Sequence, residues 1–161
     1  MHPKPAELLK IAVLGIGNAG LHHLEALRDL PGVEPIAVPV RSSRLEEIKA
    51  QGYQAAQDIS QAVSQGANAA VVATDTARHL EDSLSVLAAG LDVLVEKPLG
   101  RNAGEARQLC QQAAAMNRRV YVACVLRFSE SLNLFRRMID QVGSLHAIDI
   151  EARSYLPDWR P

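Results

Sequence analysis

A glycine-rich turn near the beginning of the 161-residue chain has the residue types and spacing of a phosphate-binding loop. Residues 15–20 read Gly-Ile-Gly-Asn-Ala-Gly, after an apolar run at 11–14 and before leucines at helical spacing. The first glycine permits a tight turn, the second lets a pyrophosphate approach the backbone, and the third lets the helix pack on the strand. Exposed N–H groups and the helix dipole then hold the anion. The residues predicted to contact a dinucleotide are Gly15, Gly17, Asn18, Ala19 and Gly20; a glycine-rich turn without a ligand is the alternative.

The turn after the next predicted strand indicates which dinucleotide would bind. An NAD enzyme usually has Asp or Glu there, about twenty residues beyond the glycine loop, to accept a hydrogen bond from the ribose 2′-hydroxyl. This chain has Val40 in that position, followed by Arg41, Ser42 and Arg44. Cations and hydroxyls suit a 2′-phosphate, because charge-assisted hydrogen bonds contribute about 1.5–3 kcal/mol each. We therefore expect NADP(H) to be preferred, with NAD(H) possible; a solvated basic turn is the alternative.

Lys97 follows the apolar run at 93–95, with Glu96 between them. Doubly wound parallel sheets bind ligands beyond the carboxyl ends of their strands. If the run at 93–95 is a strand of such a sheet, Lys97 is placed to reach a nicotinamide or a substrate hydroxyl. On residue type alone, a lysine after a strand is more often a surface group. His22 and His23, on the first helix, are also expected to be surface groups.

The elements that position these residues alternate along the chain. Strands are predicted at 11–14, 36–38, 69–73, 93–95 and 120–124, with helical patterns between them. Asp58 with Gln61, and Asn102 with Glu105, have the spacing of helix N-caps. Strands that are apolar on both faces and separated by helices predict a doubly wound parallel sheet of the Rossmann type.

The last forty residues have a different pattern. An amphipathic helix that ends at Gly143 is indicated by Leu132, Phe135, Met138 and Ile139. Ile148, Ile150 and Ala152 then alternate with charged residues, which predicts a half-buried antiparallel strand. One such strand is not stable alone. We therefore expect residues 1–124 to form a dinucleotide-binding domain, and residues 125–161 to be the truncated beginning of an α+β substrate and oligomerisation domain.

The composition argues against several classes of partner. Seventeen basic and eighteen acidic residues give a net charge of −1, which does not favour nucleic acid or an anionic membrane. No signal peptide and no run of 18 apolar residues occurs, so a cytoplasmic location is expected. Cys110 and Cys124 are expected to be small buried apolar residues, and no metal site is predicted.

Three motifs in register resemble the glucose–fructose oxidoreductase/inositol dehydrogenase/rhizopine catabolism family. They are the glycine loop, the segment Thr-Asp-Thr-Ala-Arg-His at 74–79, and Glu-Lys-Pro at 96–98, which is the most specific. Arg127-Phe128 is similar to the family's entry into its second domain. The resemblance implies a Rossmann domain joined to a larger domain that often mediates oligomers, here a homo-oligomer of the full-length protein. It also implies hydride transfer between NAD(P) and a sugar, nucleotide-sugar or cyclitol.

The resemblance assigns roles to particular residues. Lys97 would be the catalytic lysine, Glu96 would orient it, and Thr74, Thr76 and His79 would border the cofactor. Two residues depart from the family pattern, because Asp75 stands where proline is common and Arg78 where a small or apolar residue is usual. The second catalytic group would lie in the other domain, so this chain is expected to be inactive alone.

Two other functions fit the same motifs. A regulator of this fold could bind a dinucleotide without turnover, although such a sensor would not need Lys97. A redox-neutral glycosidase could oxidise its sugar transiently and regenerate the nicotinamide, and tightly retained cofactor would favour it.

Overall fold

A computed structural model of the chain describes residues 8–151, which divide into two compact units with the boundary between Cys124 and Val125. The first unit contains one parallel sheet. Its strands are β1 (Leu9–Leu14), β2 (Val33–Val38), β3 (Gln54–Ala55), β4 (Ala67–Val72), β5 (Asp92–Val95) and β6 (Val120–Val122). All pairs are parallel and the order is β3-β2-β1-β4-β5-β6. This order confirms the predicted doubly wound sheet, with its switch point between β1 and β4.

Helices connect the strands and cover the sheet. They are α1 (Asn18–Arg28), α2 (Leu45–Ala50), α3 (Ile59–Ser64), α4 (His79–Ala88) and α5 (Ala103–Ala115). One-turn 3-10 helices at Ser42–Arg44 and Thr76–Arg78 precede α2 and α4. Both predicted caps are confirmed, because the side chains of Asp58 and Asn102 accept hydrogen bonds from the N–H groups of Gln61 and Glu105 at 2.8 and 3.0 Å.

Both faces of the sheet are buried, as the continuous apolar strands predict. Ala12 and Leu14 of β1 belong to one apolar cluster, together with Leu109 of α5. Val13, which lies between them in sequence, belongs to a second cluster with Leu24 of α1. Successive residues of a strand point to opposite faces, so the two clusters occupy the two sides of the sheet. The strand ends are therefore held rigidly on both sides.

The expectation that both cysteines are buried is wrong. Cys110 and Cys124 are free thiols on the surface. Helix α5 buries only Leu109 and Ala113, so Cys110 lies beyond the narrow face that contacts the sheet. Cys124 follows β6, the last strand of the sheet, where fewer elements cover the chain.

The second unit, described to Glu151, contains one helix, α6 (Glu130–Met138), followed by a 3-10 turn at Ile139–Val142. The amphipathic helix was predicted to run to Gly143; its α-helical part ends at Met138, and the 3-10 turn that follows ends at Gly143. Its apolar side chains are about half exposed: Leu132, Leu134, Phe135 and Met138. The strand predicted from Ile148 is not formed in the described residues, which have no regular structure from 145 to 151; Ala152 lies outside them. A strand needs a partner for its backbone hydrogen bonds, and no described segment of this unit supplies one.

In the part of the chain that the structure describes, every helix is too short or too polar to cross a membrane.

Candidate functional site

The glycine loop lies at the carboxyl end of β1, next to the switch point of the sheet. Gly15 has a φ of +85°, and a Cβ atom there would lie 2.7 Å from the backbone of Thr74. A Cβ atom on Gly20 would lie 1.9 Å from the carbonyl oxygen of Gly15. Both positions exclude any side chain, since the beginning of the loop packs directly on the segment after β4, and its end, in helix α1, packs on Gly15. These contacts are the close approaches that the spacing of the motif predicts.

Gly17 occupies a different environment from the other two glycines. It is the N-cap of α1, and a Cβ atom there would meet nothing within 4 Å. No side chain in the described residues caps the helix, and its first turn contains no acidic residue. The N–H groups of Asn18, Ala19 and Gly20 therefore have no intrahelical acceptor. An open backbone at the positive end of a helix is a site for an anionic group such as a pyrophosphate.

A cleft of about 300 Å³ lies in front of this loop. Its walls come from the loops that follow β1, β2 and β4: Gly15, Ile16, Gly17, Pro39, Val40, Arg41, Arg44, Ala73, Thr74 and Asp75. A second cavity of about 280 Å³ shares Gly15, Pro39, Val40 and Thr74 with it and extends to the beginnings of α3 and α4. The loops meet here because the carboxyl ends of parallel strands lie at one edge of the sheet. The combined space is on the scale of ligand pockets, roughly 300–1,000 Å³.

The two arginines of the turn after β2 have different surroundings. The guanidinium of Arg44 donates to the carbonyl oxygen of Ile16 in the glycine loop, and to the carboxylate of Glu47 at 3.3 and 3.4 Å. Arg41 borders the cleft, is exposed, and makes no ion pair with any residue from 8 to 151. Ser42 is also exposed, in the 3-10 turn. Arg41 is therefore the cation still able to bind an anionic ligand, whereas Arg44 holds the glycine loop.

The loop after β4 places its threonines differently. Thr74 borders both cavities, and its Oγ1 is buried without a hydrogen-bond partner among the described residues. A buried hydroxyl without a partner costs free energy, so this atom is an unused donor and acceptor beside the cleft. Thr76 lies in the following 3-10 turn and borders neither of these cavities. Of the two, Thr74 is thus the better placed to contact a ligand.

His79 was expected to border the cofactor, but the structure buries it to 1% exposure. Its Nε2 lies 2.9 Å from the carbonyl oxygen of Thr74, and its Nδ1 lies 2.7 Å from that of Pro98. The ring thus joins the loop after β4 to the loop after β5, and both of its nitrogens face carbonyl oxygens. His79 therefore holds the Thr74 backbone beside the cleft, and its own side chain lines neither cavity.

Arg78, one of the departures from the family pattern, is also engaged within the protein. Its Nε and Nη2 donate to the two carboxylate oxygens of Asp82 at 3.1 and 2.8 Å. The pKa of Arg78 is raised, first by this side-chain hydrogen bond and then by the charge of Asp82. The side chain of Asp82 is nearly buried, and the pair forms part of the wall of the second cavity. Arg78 therefore neutralises Asp82.

Lys97 lies just beyond β5, two strands away from β1 in the sheet. Its side chain is exposed, and its ammonium has no partner within residues 8–151. The N–H of Lys97 donates to Glu96 Oε2 at 3.1 Å. The other oxygen of Glu96 lies 2.9 Å from Nε2 of His23 on helix α1. The expectation that His23 is a surface group is therefore wrong, whereas His22 is 83% exposed, as expected.

Sequence comparison identifies the family of this chain. The profile of the GFO_IDH_MocA family, described as the oxidoreductase family with the NAD-binding Rossmann fold, matches residues 9–124. Inositol 2-dehydrogenase from Rhodococcus erythropolis is 30% identical over 138 residues, which make up 82% of this chain and 40% of that protein. The chain therefore spans about 40% of the length of this curated relative.

Solved structures share the fold. The scyllo-inositol dehydrogenase from Lactobacillus casei, with bound NAD(H) and scyllo-inositol, aligns with a TM-score of 0.74 at 23% identity, over 84% of this chain and 42% of that one. The WlbA dehydrogenase from Bordetella pertussis, in complex with NADH and UDP-GlcNAcA, aligns with a TM-score of 0.76 at 22% identity, over 86% and 41%. With the family profile and the parallel sheet, these findings show that the chain belongs to the glucose–fructose oxidoreductase/inositol dehydrogenase/rhizopine catabolism family of oxidoreductases and contains its NAD-binding Rossmann domain.

Proposed function

We propose that this chain binds NADP(H) at the carboxyl edge of its sheet and provides the catalytic lysine of an oxidoreductase. The substrate class would be a sugar, a nucleotide-sugar or a cyclitol. The observation that carries the proposal is the open backbone at Gly17, at the uncapped beginning of α1 and beside the cleft. A pyrophosphate fits there, because the N–H groups of the first helical turn lack acceptors and no side chain blocks the approach.

The preference for the phosphorylated dinucleotide rests on the turn after β2. Val40 cannot accept a hydrogen bond from a ribose hydroxyl, and Arg41 presents an unpaired guanidinium to the same cleft. One charge-assisted hydrogen bond contributes about 1.5–3 kcal/mol. A single contact from Arg41 would therefore favour NADPH over NADH by roughly ten- to a hundredfold. Arg44 would contribute indirectly, by holding the carbonyl of Ile16.

Lys97 would act on the substrate oxygen. A bound nicotinamide supplies the hydride acceptor or donor, while the ammonium of Lys97 donates a hydrogen bond to the reacting hydroxyl or carbonyl oxygen and assists its proton transfer. The exposed, unpaired side chain beyond β5 is compatible with this role. The substrate class is supported by the relative named inositol 2-dehydrogenase and by the fold neighbour in complex with UDP-GlcNAcA.

The domain arrangement is part of the same proposal. Residues 1–124 would be the cofactor domain, and residues 125–161 would begin a substrate domain through which the full-length protein forms a homo-oligomer. The apolar residues of α6 that are half exposed support this view, because such a face is normally covered in a complete domain.

The test is a fluorescence titration of the chain with NADPH and with NADH, in the wild type and in two matched variants. We expect the wild type to bind NADPH at least about tenfold more tightly than NADH. Arg41→Ala should remove this difference by weakening NADPH alone. Arg44→Ala should weaken both nucleotides, because it releases the glycine loop.

Equal affinities in the wild type would reject the preference for NADP(H) and leave the nucleotide site intact. No binding of either nucleotide to a folded chain would reject the proposed function.

A further inference from the structure

The segment that carries Lys97 is held by helix α1 through a histidine. Nε2 of His23 donates to Oε1 of Glu96 at 2.9 Å, and the two side chains are 22% and 18% exposed. Oε2 of the same carboxylate accepts the backbone N–H of Lys97 at 3.1 Å. The N–H of Glu96 donates to the carbonyl oxygen of Val72 in β4 at 2.9 Å. The carboxylate is therefore fixed at both oxygens, and the residue is also fixed through its backbone.

Helix α1 connects this contact to the glycine loop. The helix begins at Asn18, directly after Gly17 in the wall of the cleft, and His23 lies five residues further along. Helix α1 has 11 residues, and Gly20 and Leu24, which precede and follow His23 in the sequence, are both buried. Their packing holds the helix in place between the glycine loop and His23. One element thus contacts both the phosphate site and the carboxylate beside Lys97.

We propose that His23 is a positioning residue for Lys97 that acts through Glu96. The inference rests on the proposed function, since it takes Lys97 as the catalytic lysine. The physical reason is conformational freedom. Without its imidazole partner, the Glu96 side chain can adopt additional rotamers. A rotamer that moves the carboxylate away breaks its hydrogen bond with the Lys97 N–H. The ammonium of Lys97 would then sample a wider range of positions.

His22 provides a matched control. It is a histidine on the same helix, adjacent in sequence, but its side chain is 83% exposed and its described partner is the exposed Glu25, at 3.7 Å. Removing His22 changes helix propensity and charge in the same way as removing His23. The two substitutions differ in the burial of the side chain that is removed and in the contact with Glu96.

The experiment measures the exchange rate of the Lys97 amide hydrogen by NMR in the full chain. In His23→Ala we expect this rate to rise about five- to tenfold, as loss of a charge-assisted hydrogen bond loosens its acceptor. His23→Gln should restore it to within about twofold, because an amide can donate from nearly the same place as Nε2. His22→Ala should leave the rate unchanged. Glu96→Gln, which keeps the shape and removes the charge, should reproduce the effect of His23→Ala.

Two results would overturn the proposal. The first is an unchanged Lys97 rate in both His23→Ala and Glu96→Gln. The second is an equal rise at Lys97 and at the core amides of Val13 and Val71, which would assign His23 a structural role only. Nucleotide titration of the same samples separates the two proposals. Absent binding in the wild type rejects the proposed function, whereas the Lys97 rate reports on the positioning contact with or without nucleotide.

Discussion

At the amino edge of the sheet, charged side chains on neighbouring strands are paired with one another. Lys10 of β1 lies 3.2 Å from Glu34 of β2, and Asp92 of β5 lies 2.6 Å from Arg119, just before β6. The side chain of Asn68 in β4 accepts the N–H of Lys10 at 2.8 Å. The carboxyl edge of the same strands is built differently, because several of its polar groups have no partner within residues 8–151.

Those groups surround the cleft or lie further along the same edge. Among the described residues, Thr74 Oγ1 is buried without a hydrogen bond, the guanidinium of Arg41 and the ammonium of Lys97 have no counter-ion, and the beginning of α1 has no side-chain cap. For the buried Thr74 hydroxyl, the missing partner costs about 1–3 kcal/mol. The amino edge therefore contributes to stability, whereas the carboxyl edge retains binding capacity for a ligand. Substitutions at the two edges should therefore separate stability from nucleotide binding.

The largest expected effect is in the glycine loop, where alanine substitutions at Gly20 and Gly17 should change stability and NADPH affinity differently. Gly20→Ala places a Cβ atom 1.9 Å from the Gly15 carbonyl oxygen, a backbone atom that cannot move without disturbing β1. We expect the free energy of unfolding to fall by about 1–3 kcal/mol and nucleotide binding to be lost. Gly17→Ala meets no atom within 4 Å, so stability should change by less than about 1 kcal/mol while NADPH affinity falls at least about tenfold.

Urea unfolding and NADPH titration of both variants measure the two quantities. If Gly17→Ala bound NADPH as the wild type does, the pyrophosphate would not approach the backbone at this position. The distinction between a glycine required for folding and one required for binding would then fail.

An intermediate effect is expected at Thr74. Thr74→Val keeps the volume of the side chain and removes the buried hydroxyl that has no partner. We expect the free energy of unfolding to stay the same or to rise by up to about 1 kcal/mol, and NADPH affinity to fall. The comparison with Thr76→Val, a residue outside both cavities, controls for a general effect of losing a hydroxyl in this loop. Lower stability and unchanged affinity in Thr74→Val would instead indicate a structural role for the hydroxyl.

The features that the sequence predicted are those that depend on local chemistry. The glycine loop is recognised because its constraints act within six residues and on the strand beside it. The caps at Asp58 and Asn102 are likewise set by residues three positions apart. The doubly wound sheet follows from apolar runs that repeat along the chain. Strand β3 was missed because two residues, one of them the exposed Gln54, carry no periodic signal.

The features that were missed depend on contacts between distant residues. His23 and Glu96 are 73 positions apart, and nothing near His23 in sequence distinguishes it from His22. Arg44 has the same residue type as Arg41, but only the fold shows that its guanidinium lies against Ile16 and Glu47. His79 belongs to the family motif, yet its two carbonyl partners come from separate loops. For such residues the type predicts the chemistry and the tertiary structure decides where it is used.

The smallest expected effect lies at the amino edge, where stability should change and binding should not. The pKa of Asp92 is lowered, chiefly by the hydrogen bond from the backbone N–H of Arg119 at 2.9 Å. A carboxyl group with a lowered pKa stabilises the fold above its unfolded pKa of about 3.9, and this contribution is lost as the pH falls through the folded value. Asp92→Asn should therefore be less stable than the wild type near neutral pH, by less than the loss expected for Gly20→Ala.

Urea unfolding from about pH 7 to about pH 2 should show this difference shrinking below about pH 4 and vanishing once the wild-type carboxyl is protonated. NADPH affinity should be unchanged in Asp92→Asn, because the residue lies at the opposite end of β5 from Lys97. Asp29→Asn is the matched control for removing a surface carboxylate: Asp29 is 78% exposed and its described ion-pair contact is the 3.8 Å approach to Arg28, so this substitution should cost less stability at neutral pH than Asp92→Asn. A loss of NADPH affinity in Asp92→Asn would contradict this separation of stability from binding, because it would mean that the paired edge of the sheet also takes part in binding.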